Sequence, residues 1–380
     1  MGATVPEVMV PPAPTLPDYG GACIASIVPA LLGNGPPPPW LPAAAADASQ
    51  VVLLVLDGLG WLQLEQRRAL APTLAAMEGG PVTSVAPTTT ATALTSITTG
   101  LAPAVHGVVG YRVRVGPASV MNVLRWRTSD GDVRRDVPPA AFQPHPVFAG
   151  RGPPVVTRVE FASTGFTSAH LAGASLHGWR LPSALAVEVR RQLEAGAPFV
   201  YAYYDGIDKV AHDKGFGDHY DAELVATDRL VADLRASLPP GAALVVTSDH
   251  GQVQVDGAAV KVAAEVMVDV ELLSGEGRFR WLHAAPGKAG SVAAAARAMY
   301  GEVAWVLTRA EMIEQGWFGG VPSATVAARL GDVALVAFAP VAFDDPVDTG
   351  DTPLVCRHGS LTPEECLVPL LATAGVGGGG

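Results

Sequence analysis

Val51-Val52-Leu53-Leu54-Val55-Leu56, followed by Asp57-Gly58, is the stretch that decides the fold. A strand with one wet face alternates apolar and polar residues. An unbroken apolar run of this length reads as a strand covered on both faces, as in a parallel sheet between helical layers. Two further runs share the grammar. Pro198 to Tyr204 (PFVYAYY) leads into Asp205 and Asp208, and Ala242 to Val246 (AALVV) leads into Thr247-Ser248-Asp249-His250-Gly251. Helical patterns over Pro182–Ala195 and Asp218–Leu238 lie between them. The expected fold is therefore α/β, with a largely parallel central sheet flanked by helices.

Residues 51–111, 155–251 and 350–376 read as the core. Residues 1–50 read as an irregular lead-in with a short helix around Ala22–Leu32. Residues 112–154 read as a small, short-stranded insertion, and residues 252–349 as an α+β cap insertion. The cap pattern is a helix over Gly290–Tyr300, a strand over Val303–Leu307, a helix over Arg309–Trp317 and a strand over Val333–Phe338. Both insertions are placed to cover a site. Gly377–Gly380 reads as a frayed tail.

A 380-residue chain that is 49% hydrophobic and 16% charged can bury a large core, which excludes a mainly disordered protein. Its net charge of -11 excludes a general nucleic-acid-binding surface, though not a local cationic site. Three cysteines, Cys23, Cys356 and Cys366, do not make a disulfide scaffold and suit a reducing compartment. The first positive side chain is Arg67, so no secretory n-region is visible, and the apolar stretches Gly21–Leu32 and Cys366–Val376 are too short to span a bilayer. The expectation is a cytoplasmic chain with no membrane partner.

In open α/β sheets, ligands bind beyond the carboxyl ends of the strands. Here three buried-strand runs each end in an aspartate, two of them with a histidine: Asp208-x-x-x-His212 and Asp249-His250. His358 follows late in the chain. Taken singly, each has a plain reading: Asp57-Gly58 is a turn, Asp208 and His212 an i,i+4 pair on a helix, Asp249-His250-Gly251 loop polarity, and His358 structural. Taken together at one sheet edge, carboxylates and imidazoles are what a divalent metal site requires. The hydroxyl-rich Pro87-Thr88-Thr89-Thr90-Ala91-Thr92 segment opens a helix-compatible run, and a helix N-terminus favours an anion.

On these residues the chain resembles the alkaline phosphatase superfamily, and within it the type I phosphodiesterase/nucleotide pyrophosphatase family. The matching blocks are Val51–Tyr111, Pro198–Gly251 and Cys356–Leu371, in the family's order. The resemblance implies Thr90 as nucleophile, ten residues before Gly100 of a Thr-Gly pair. It implies two divalent metal ions, zinc with manganese as the alternative. Asp208, His212 and His358 would hold one; Asp57, Asp249, His250 and the Thr90 oxygen would hold the other. Three positions depart from the family pattern. Ala211 replaces a glycine, Phe216 a proline, and Tyr111 the phosphate-binding asparagine, which leaves a phenol and an aromatic face at the substrate-binding position.

The implied reaction is hydrolysis of a phosphodiester or pyrophosphate bond in a small nucleotide-like substrate through a phospho-threonine, with no nucleic-acid polymer as partner. Three alternatives remain: a phosphomonoesterase, a phosphate-ligand-binding protein without turnover, and an isomerase. Oligomeric state is not legible. No Walker loop and no His-Glu-x-x-His is present. Two Arg/aromatic clusters, Tyr111-Arg112 with Arg125-Trp126-Arg127, and Arg278 to Trp281 with His283, are candidate specificity elements, the second reading better as a half-buried strand. Thr362, Pro363 and Glu365 read as a capping box.

Overall fold

Alternate residues of the Val51–Leu56 run enter two different cores: Val51, Leu53 and Val55 pack in one, Val52, Leu54 and Leu56 in the other. That division is what a strand between two helical layers produces. The structure, a computed structural model, describes residues 11–348 and 354–375; the Gly377–Gly380 tail and part of the 350–376 block lie outside the described residues.

The central sheet has seven strands in the order Glu78–Thr83, Leu367–Ala374, Ala242–Thr247, Gln50–Leu56, Phe199–Tyr204, Pro154–Arg158 and Ser175–Trp179. Gln50–Leu56 pairs in parallel with both Ala242–Thr247 and Phe199–Tyr204, so the carboxyl ends of these three strands share one edge. Only Leu367–Ala374 runs against its neighbours. The sheet is thus α/β and mostly parallel, with helices such as Pro182–Glu194 and Asp218–Ala236 on its faces.

Among the described residues, two four-stranded sheets and two two-stranded ones stand apart from it. Residues 112–132 form a four-stranded antiparallel meander. Val270–Glu276, Phe279–Ala284, Val333–Ala337 and Ala304–Thr308 form a second antiparallel sheet, covered by the Ala289–Tyr300 helix. No helix among the described residues is long and apolar enough to cross a membrane.

The capping box at Thr362 does not form. The Thr362 side chain takes no helix N–H; its hydroxyl donates instead to Glu365, 2.8 Å away. Glu365 is drawn to a stronger partner, the buried guanidinium of Arg278, which donates two 2.8 Å bonds to its carboxylate.

Candidate active site

Asp57, Asp208 and Asp249 follow the three adjacent parallel strands, and the sheet brings them to one edge. Gly58, at φ 75°, makes the turn, and a Cβ there would lie 2.9 Å from the Asp208 Cα. Asp208 and His212 sit one turn apart on the Gly206–Lys214 helix, with Nε2 to Oδ1 at 3.2 Å. His358 is carried in after a two-residue strand, Cys356–Arg357, that pairs with Val253–Gln254. Thr90 is the first residue of the Thr90–Thr99 helix, which ends at Gly100 in the left-handed conformation.

Each of the three histidines turns the same nitrogen inward. Nδ1 of His212 donates to Cys356 O at 2.7 Å, Nδ1 of His358 to Thr88 O at 2.8 Å, and Nδ1 of His250 to Gly251 O at 3.1 Å. A carbonyl can only accept, so each Nδ1 carries a proton, and in the neutral tautomer of such a ring the lone pair that can meet a metal is on Nε2. Nε2 of His250 lies 3.4 Å from Asp57 Oδ1 and 3.3 Å from Asp249 Oδ2. Those two carboxylate oxygens are buried and have no hydrogen-bond partner among the described residues. A buried, orphaned anionic oxygen is costly unless a cation meets it. The donor set fits a divalent metal: Asp57, Asp249 and His250 form one compact group, and Asp208, His250 and His358 another. His212 adjoins the second through Asp208.

The charges tell the same story. Burial, then the neighbouring Asp249 and Asp208 carboxylates, push the Asp57 carboxyl well above its usual range. Burial, then the His250 and His212 rings, hold His358 well below the ordinary histidine value.

Thr90 Oγ1 is 3.1 Å from His250 Nε2. Beside it opens a cavity of about 190 Å³ lined by Asp57, Asp208, Leu124, Phe161, Phe166 and Tyr203, among others. Tyr111 is not among the lining residues; its hydroxyl accepts a 2.6 Å bond from Asn122 and its N–H donates to Glu276. Most members of the Arg/aromatic clusters serve the interior, while Arg125 and Arg127 are exposed. Arg112 pairs with Asp345, Arg278 with Glu365, and Trp126 and Trp281 are buried. Asp205, which also follows a strand, is taken up by Arg158 and Lys209.

Sequence reasoning missed two residues. Tyr203 donates its hydroxyl to Asp57 Oδ2, and Gln252 Nε2 donates to Asp208 Oδ1 at 2.8 Å. Gln252 directly follows Asp249-His250-Gly251, and that adjacency was a usable signal. Tyr203 reads only as one more residue of an apolar strand.

The fold is shared with solved structures. Murine ectonucleotide pyrophosphatase/phosphodiesterase 5 superposes with a TM-score of 0.63 at 17% identity, over 85% of this chain and 87% of that one. An inactive form of the same murine protein in complex with AMP gives 0.64 at 16% identity, again over 85% and 87%. Phosphonoacetate hydrolase from Sinorhizobium meliloti, in complex with phosphonoformate, gives 0.61 at 20% identity over 86% of this chain and 90% of that one. No curated protein sequence matches. The family model described as type I phosphodiesterase/nucleotide pyrophosphatase matches residues 51–187 and 181–343, most of the chain, and the chain therefore belongs to that family of hydrolases.

Proposed function

We propose that this hydrolase cuts a phosphodiester or pyrophosphate bond of a small nucleotide-like molecule through a phospho-Thr90 intermediate, with two divalent metal ions, zinc or manganese, as cofactors. The observation that carries the reading is the position of Thr90 Oγ1, at a helix N-terminus and 3.1 Å from His250 Nε2, beside buried carboxylate oxygens without partners. Asp208, His212 and His358 would hold one ion; Asp57, Asp249, His250 and the Thr90 oxygen would hold the other. Bound ions of this kind supply Lewis-acid charge, which ionises a hydroxyl and offsets charge on phosphoryl oxygens.

The protein's own groups do the rest. Thr90 Oγ attacks phosphorus in line, forming the Oγ–P bond as the bond to the leaving oxygen breaks. Water then cleaves the Oγ–P bond and restores the threonine. The first N–H groups of a helix have no intrahelical partner, so those following Thr90 face the equatorial oxygens. Tyr203 holds one Asp57 oxygen and so sets the direction of the other. The lining of Leu124, Phe161 and Phe166 excludes water and offers aromatic faces to an organic substituent. Its volume is below that of a drug-sized pocket, so one small group enters and the remainder extends outward. A reducing, cytoplasmic setting is part of the proposal, supported by three buried cysteines without a disulfide; export with N-terminal cleavage would contradict it.

The test is metal analysis of the purified protein joined to a panel of monoester, diester and pyrophosphate substrates. The diester should be preferred. Thr90→Ala should keep its metal and lose turnover by several orders of magnitude. Full activity in verified metal-free protein, or phosphate trapped on Thr88, Thr89 or Thr92, would overturn the reading.

A further inference from the structure

Away from Thr90, a cleft of about 670 Å³ opens where the 112–138 segment meets the cap residues 309–332. It shares no lining residue with the cavity beside Thr90. Three arginines face it, Arg114, Arg309 and Arg329, against two aspartates, Asp136 and Asp332. Among the described residues, only Arg309 of the three pairs with a carboxylate, Asp332 at 3.1 Å.

The other two are held by carbonyls. Arg329 Nη1 donates to Gly107 O at 2.6 Å and Phe142 O at 3.1 Å, and its guanidinium carbon lies 3.6 Å from the centre of the Phe142 ring. Arg114 donates through Nε to Gly116 O at 3.1 Å and through Nη2 to Pro117 O at 3.2 Å. A guanidinium has five N–H donors; two are used in each case, which leaves about three on each side chain. Carbonyls satisfy donors and fix the plane of the group, yet they leave its full charge uncompensated. Burial of Arg329 lowers its pKa to about 10, a sign of how little water shields that charge. Two such cations on one cleft are notable in a chain of net charge -11. The remaining wall is apolar, with Val115, Pro138, Ala141 and Leu330.

We propose that this cleft is a second ligand site, separate from the catalytic one, for a small organic oxyanion with an apolar body. Arg114 and Arg329 hold the anionic group, and the apolar wall packs the body. The planar fork of a guanidinium matches phosphate and carboxylate alike. Asp136 and Asp332 set a limit on the charge admitted, because they repel anions that extend too far along the cleft.

The experiment is calorimetric titration of the metal-loaded protein with phenylphosphonate and, separately, with benzoate. The two probes distinguish a phosphoryl from a carboxylate ligand, and neither requires turnover, so the result does not depend on the phosphodiesterase reading. At least one probe should bind wild type, and Arg114→Gln should weaken that binding by about tenfold or more while leaving diester turnover unchanged. Arg329→Gln should do the same. Should Arg329→Gln fail to fold, Arg114→Gln decides alone, since among the described residues the Arg114 guanidinium bonds only carbonyls of its own turn. No binding of either probe to wild type at millimolar concentration, or equal binding by wild type and Arg114→Gln, would overturn the proposal.

Discussion

Glu365→Ala should cost the protein about 3–5 kcal/mol of stability, the usual penalty for breaking a buried ion pair from one side. Glu365 and Arg278 have fully buried side chains and meet through two parallel bonds of 2.8 Å. Arg278 also donates to Ala337 O at 3.0 Å, Ala339 O at 2.8 Å and Val341 O at 2.9 Å. Glu365 in turn accepts from Ser360 N at 3.0 Å and Thr362 Oγ1 at 2.8 Å. Removing the carboxylate leaves a dry guanidinium with dipoles but no counter-charge, and strands the Ser360 N–H, which alone is worth about 1–3 kcal/mol. The two losses overlap, so the upper half of the range is expected. The assay is urea unfolding followed by tryptophan fluorescence, with a lower midpoint at unchanged slope. Arg278→Met combined with Glu365→Leu removes both charges and should be less unstable than the sum of the singles, although it still leaves the three carbonyls and the Ser360 N–H without their partners. A Glu365→Ala protein within about 1 kcal/mol of wild type, or a double variant as unstable as the sum of the singles, would refute the reasoning.

Two other outcomes follow from the site's surroundings. Tyr203→Phe should leave the fold intact and weaken metal retention by about 10–100-fold, because Asp57 loses the hydroxyl that orients it; unchanged metal content after dialysis against a chelator would contradict this. Burial holds the Glu276 carboxyl at about 8 against an ordinary 4.5. As pH rises through that window the unfolded chain releases the proton and the folded chain keeps it, so wild-type stability falls. Glu276→Gln has no such proton and keeps the acceptor for the Tyr111 N–H. Its advantage over wild type should therefore grow with pH, by at most about 1.4 kcal/mol per unit, and a difference independent of pH would count against it.

The central strands were legible because their signal is local: Val51–Leu56, Phe199–Tyr204 and Ala242–Val246 are runs without a charged or strongly polar residue. The Glu78–Thr83 strand, EGGPVT, carries no such signal and owes its conformation to pairing with Leu367–Ala374. The site's aspartates could be read because a parallel sheet sends consecutive strand ends to one edge. Glu365 shows the limit. Its spacing from Thr362 is that of a capping box, while the partner it takes, Arg278, lies 87 positions away. Asp205 is a second case: it follows a strand as Asp57 does, yet Arg158 and Lys209 neutralise it, and neither partner is visible from the strand pattern. Tyr111 falls where the family places a phosphate contact, but its hydroxyl is tied to Asn122 by a cross-strand neighbourhood that spacing does not reveal.

The most direct test of the covalent route through Thr90 is the stereochemical course at phosphorus. A nitrophenyl phosphorothioate diester, chiral at phosphorus, would be hydrolysed in isotopically labelled water and the product configuration determined. Two successive in-line displacements, first by Thr90 Oγ and then by water, each invert the centre, so the account predicts net retention. Net inversion would mean that water attacks the substrate directly, and would contradict it.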